Sequence, residues 1–116
     1  MNKDLEKALD HIAAQIKLYR ETDIMDGEQL NNCLQQVSAT LFYLEGERAK
    51  VHDLWQNSVQ KFVLNGKPVN RAENEAHVLY PEMYLLRRIM DSAYTVTDAI
   101  RTNISYLKSE KQNAKN

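Results

Sequence analysis

The 116-residue sequence predicts an all-α fold: a long antiparallel helical hairpin, coiled-coil-like, with a shorter N-terminal helix packed on it. Three observations carry that prediction. Apolar residues recur in alternating steps of four and three through Leu79, Met83, Leu86, Met90 and Ala93, then Thr97, Ile100, Ile104 and Leu107, forming one stripe of a helix able to seat against another. A second stripe of the same spacing runs through Leu30, Leu34, Val37, Leu41, Leu44, Arg48, Val51, Trp55, Ser58 and Phe62. Only three Gly and two Pro punctuate the chain, so tight turns are few and long helices with short connections are favoured.

The first helix is expected over about 3–20, where Leu5, Leu9, Ile12, Ile16 and Tyr19 share one face and Asp4, Lys7, Asp10 and Lys17 lie opposite. The stripe lapses over Glu21 to Met25, and Asp26 before Gly27 and Glu28 reads as the cap of a second helix over about 28–64. Gly46 falls inside that helix and permits a local bend. At Asn65-Gly66-Lys67-Pro68, Gly66 suits a left-handed C-terminal cap and Pro68 cannot continue the ladder. A small hairpin over residues 62–69 with an Asn-Gly turn is the rival reading, weakened by Pro68 and by the heptad that persists to Phe62. Asn70 with Glu73 reads as a capping box opening a third helix, expected over about 71–111 with a kink or break at Pro81. A polar tail, frayed over 112–116, closes the chain.

A six-residue connection makes the second and third helices antiparallel neighbours, with Trp55 beside Leu79 and Tyr80, Leu41 beside Ala93, and Leu30 beside Ile104. Each arm would run roughly 55 Å, far beyond the radius of gyration of about 13 Å for a compact domain of this size. The first helix covers only part of such a hairpin. Apolar residues beyond the main seams, Phe42, Leu54, Val59, Ile89 and Val96, together with Trp55, are therefore the expected interface positions of a homo-oligomer.

Totals narrow the function classes. A 43% hydrophobic and 27% charged composition suits one folded domain, and a net charge of −1 supplies no global attraction to nucleic acid or acidic lipid. The single cysteine, Cys33, cannot form an internal disulfide and suits a buried thiol in a reducing compartment. No window reaches the roughly 20 apolar residues of a membrane span, and no leader is recognisable at Met1-Asn2-Lys3-Asp4, so a cytoplasmic protein without a membrane partner is expected. His11, His52 and His77 lack metal-ligand spacing, and no carboxylate pair stands out. No metal, no cofactor and no catalytic residue is expected, and the protein is not expected to be an enzyme.

Two charged features remain. Arg48 occupies an inward seam position, where a guanidinium needs a partner; Glu82 or Asp91 across the hairpin would supply one in an internal ion pair that fixes register, and a ligand-binding role is the alternative. Arg87 and Arg88, with Arg101 and Lys108 further along, form a candidate basic stripe on the outer flank of the third helix, Lys67 and Arg71 add charge at the hairpin turn, and Tyr84, Tyr94 and Tyr106 offer rings for base stacking. The competing reading is a solvated face with Glu82, Asp91, Asp98 and Glu110 interspersed.

The C-terminal half, from Arg71-Ala72-Glu73-Asn74-Glu75-Ala76 through Tyr84-Leu85-Leu86-Arg87-Arg88 to Asp98-Ala99-Ile100-Arg101 and Ile104-Ser105-Tyr106-Leu107-Lys108-Ser109-Glu110, resembles small helical bacteriophage proteins of the UvsY-type recombination-mediator kind. That resemblance implies a non-enzymatic accessory protein that self-associates and binds single-stranded DNA or a recombinase, located in the host-cell cytoplasm, with the six cations above as phosphate contacts. Mediators of that kind tend to be more basic than this chain. The alternative expectation is a phage anti-defence or host-takeover inhibitor that holds a host protein or small signal on an exposed helix face; a pure assembly factor is the third.

Overall fold

Short-range hydrogen bonds set the ends of each helix. A computed structural model describes residues 3–23 and 25–115, the side chains of 114 and 115 excepted, and places α1 at Lys3–Glu21, α2 at Gly27–Leu64, α3 at Val69–Leu79 and α4 at Glu82–Lys115. Expectations that touch Met1, Asn2, Ile24 or Asn116 lie outside those residues. Among the described residues there is no strand, and the chain is all-α.

Asp26 caps α2 as its sequence predicts: its carboxylate accepts the Gln29 N–H at 3.0 Å. At the far end the Lys67 N–H reaches the Phe62 carbonyl and the Gly66 N–H reaches Val63, with Gly66 at φ 93°, which is the Schellman arrangement. The Lys67 ammonium then sits 4.7 Å over the Phe62 ring, closing the same motif from the side-chain direction. The helix stop, and not the small hairpin, is what forms.

Two boundaries differ from expectation, and at Pro81 the choice between a kink and a break is resolved. The third helix opens at Val69, two residues early, with Pro68 as its cap and no side-chain cap bond, so the Asn70–Glu73 capping box does not form. Pro68 already holds an extended conformation (φ −60°, ψ 149°) and its carbonyl accepts the Ala72 N–H, leaving Asn70 inside the helix. Pro81 breaks the helix into α3 and α4, with Tyr80 at φ −128°, ψ 65°, because the residue before proline is driven out of the helical region. α4 continues through Lys115, past the expected end at about 111.

The two arms, α2 on one side and α3 with α4 on the other, are antiparallel. Gly27 abuts Leu107 at one end, Tyr94 bonds Glu45 in the middle and the Ser58 hydroxyl lies 3.4 Å from that of Tyr80 nearer the turn. α1 runs back along α2, with Cys33 Sγ donating to the Gln15 carbonyl at 3.5 Å and Asn103 of α4 donating to the Tyr19 hydroxyl at 3.1 Å. The core is built from Leu5, Leu9 and Ile12 of α1, from Leu30, Cys33, Val37, Leu41, Leu44 and Val51 of α2, and from Leu86, Met90, Ala93 and Ile100 of α4. Around the turn, full burial falls to two alanines, Ala72 and Ala76 of α3. Leu79, the first member of the long stripe, is 55% exposed, because the break at Pro81 interrupts the seam it would have continued. The molecule measures 71 × 27 × 19 Å with a radius of gyration of 19.4 Å, against about 13 Å for a compact chain of this length.

Candidate functional site

α1 occupies one flank of the α2/α4 pair and leaves the other open. On the open flank Arg87, Tyr94, Arg101 and Lys108 follow one another at seven-residue steps, which returns each to the same side of α4 about 10 Å further along. Tyr94 and Arg101 line a shallow cleft of about 270 Å³ with Ser38, Leu41, Phe42, Glu45 and Thr97. Lys108 lines a second cleft with Asn31, Ile104 and Lys111. All three cations of the column are exposed.

Their ion pairing is uneven. Arg101 lies 3.5 Å from Asp98, one turn back and itself exposed, a pair of little energetic weight. Arg87 and Lys108 have no ion-pair partner among the described residues. Arg88 is exposed too, but stands one residue, and hence about 100°, round the helix from the column. The two cations at the turn are engaged elsewhere: Lys67 and Arg71 both bind Glu75, the latter at 3.3 Å. The Lys67 hydrogen bond, followed by the charges of both cations, holds the Glu75 carboxyl below the usual carboxylate range.

The open flank carries two features with no counterpart in the stripe pattern. Tyr94 donates its hydroxyl to Glu45, and that bond, with partial burial and the carboxylate charge, raises the phenol above its ordinary value against an opposing effect of Arg48. Arg48 itself is exposed and pairs with neither Glu82 nor Asp91 among the described residues, so the buried ion pair expected at this seam position does not form. Turning outward keeps the guanidinium hydrated, and the seam passes from Leu44 to Val51 without it. It lines a cleft with Glu45, Ala49, His52 and Asp53 beside the column.

The expected interface residues separate into two groups. Phe42, at 85% exposure, and Leu54, at 50%, are bare, whereas Ile89 and Val96 are half-buried against the core. Trp55 and Val59 are half-buried. Trp55 lies between two imidazoles, with ring centroids 5.7 Å from His52 and 5.3 Å from His77, and its indole N–H is buried without an acceptor among the described residues. The spacing His52–Trp55 is one helical turn, but nothing in the sequence announces His77 across the hairpin, since that contact depends on the register of α3.

Among the described residues no three His, Cys, Asp or Glu side chains gather into a metal-binding group, and no helix is long and apolar enough to cross a membrane. No family model, no curated protein and no solved structure matches this chain.

Proposed function

We propose that this protein works without catalysis, as a helical hairpin that associates with copies of itself and holds a single strand of nucleic acid, or a recombination partner, along the open flank of α4. The observation that carries the reading is the column Arg87–Tyr94–Arg101–Lys108: cations at regular spacing with an aromatic ring among them, on the flank that α1 leaves bare. Single-strand binders combine a cationic track with rings on which bases stack, and no base-reading geometry is required of them. The resemblance of the C-terminal half to recombination mediators points the same way.

The test is a salt-dependent shift of a labelled single-stranded oligonucleotide. Three column cations displacing counterions correspond to a slope of log K against log salt of about −2. Arg101→Glu with Lys108→Glu should abolish the shift while leaving circular dichroism unchanged, and Arg71→Glu, at the ion-paired turn, should leave most of it. No shift at low salt removes the nucleic-acid part of the proposal.

Phe42 favours a second reading. A phenylalanine 85% exposed on the rim of the Tyr94 cleft is a candidate anchor for a host protein, and the net charge of −1 suits a protein partner better than a polyanion. A stable complex with a host protein that Phe42→Ala destroys, together with no affinity for DNA, would establish that alternative.

A further inference from the structure

The end of the hairpin around the α2–α3 turn is bare on the flank that α1 covers nearer the base. On α2, seven-residue steps from Cys33 lead through Thr40 and Glu47 to Leu54. Cys33 bonds α1 and Thr40 lines a cleft with Asp4, Lys7, Ala8 and His11 of α1, but α1 begins at Lys3, alongside the middle of α2, and Leu54 lies some three turns beyond it. Across the hairpin, His77 of α3 packs on Trp55; Leu79, two residues further on, falls on the opposite side of α3 from His77 and so on the same flank as Leu54. Both leucines are at least half exposed. Beneath them the two helices meet through Ala72 and Ala76, a thin seam that leaves most of the larger apolar side chains around it uncovered.

The geometry points to a second copy of this chain as the occupant: two hairpin ends pack antiparallel through the Leu54–Leu79 flank, so that α2 and α3 of each chain complete a four-helix bundle about a twofold axis. This rests on the self-association reading above and specifies where it happens. One observation leaves room for a partner, and two arguments select another copy over an unlike one. The accessible surface is 8176 Å², whereas a compact monomer of 13.5 kDa exposes about 6,500 Å², an excess about twice the 800 Å² or so that each partner loses in a standard interface. Residues 54–85 carry Lys61, Lys67 and Arg71 against Glu73, Glu75 and Glu82, so like ends do not repel. A twofold contact needs one self-complementary patch, and the missing layer over the hairpin end is the pair of helices that an identical end supplies.

The test is the mass of the full chain by light scattering with in-line chromatography, from micromolar to sub-millimolar protein. The wild type should approach twice 13.5 kDa. Leu54→Glu with Leu79→Glu should weaken dimerisation by about tenfold or more while keeping wild-type circular dichroism; Phe42→Glu, at a side chain barer still but on the open flank nearer the base, should dimerise like wild type. A double variant that dimerises as tightly as wild type overturns the hairpin-end contact and leaves self-association standing. A wild type that stays monomeric throughout overturns both. Should the double variant lose helicity, amide exchange of the wild type decides: protection of α3 rising with concentration supports the contact, and α3 exchange independent of concentration while the mass doubles overturns it.

Discussion

Two glycines separate the local from the contextual at residue scale. Gly46 lies inside α2 with a helical backbone and open space where a Cβ would stand, so Gly46→Ala should stabilise the protein by ~0.5–1 kcal/mol, raising Tm by about 4 °C per kcal/mol in a melting curve. Gly66 also has room, but its φ of 93° is strained for any L side chain, and Gly66→Ala should cost ~1–2 kcal/mol in the same measurement. The Tyr94–Glu45 bond adds a pH-dependent prediction. A phenol whose folded pKa is raised contributes stability below the unfolded value of about 10 and loses it as pH rises through the folded value. The stability advantage of wild type over Tyr94→Phe should therefore be full at neutral pH and shrink in alkali, and ultraviolet titration should show one late-ionising tyrosine fewer in the variant. Tyr43, also raised, chiefly by burial, should titrate late in both proteins.

Element ends follow from which backbone groups find partners nearby. Asp26 was readable as a cap because a carboxylate before a helix start has one strong use, and Asp26→Ala should lower the denaturation midpoint by the equivalent of ~1 kcal/mol with an unchanged slope. The Asn70–Glu73 box was an equally lawful reading of the residues, yet Pro68 starts α3 first, and a residue already inside a helix no longer caps it. Gly66 and Pro81 acted as their chemistry requires, one ending α2 and the other dividing α3 from α4. For Pro81 the stripe continuing through Leu79 to Met83 left a kink and a break equally open, and Tyr80, driven out of the helical region at φ −128°, ψ 65°, decided for the break.

Across the whole molecule, the length mismatch between α1 and the hairpin divides stability into two zones. From Leu30 to Val51, α2 lies against large buried side chains of α1 and α4; at the turn it meets two alanines and half-buried rings. In dilute solution α3 should therefore exchange its amides well before the buried stretch of α2, in a sub-global opening that a mass-spectrometric exchange profile resolves. Scattering at the same dilution should return a radius of gyration near 19.4 Å, a long particle and not a collapsed one.

The sequence by itself determined what depends on neighbours a few residues away: the all-α class, the Asp26 and Gly66 caps, the antiparallel pairing of the arms and their length. Its alternating four-three period also located most of the core, from Leu30 to Leu44 on α2 and from Leu86 to Ile100 on α4. Only the tertiary structure decided how each helix is turned about its axis and where a covering helix runs out. Those two facts sent Arg48 to solvent, put the Arg87, Tyr94, Arg101 and Lys108 column on an open flank, and left Leu54 and Leu79 bare. A seven-residue period says which residues share a side but not which side is covered, because coverage is a property of three helices at once.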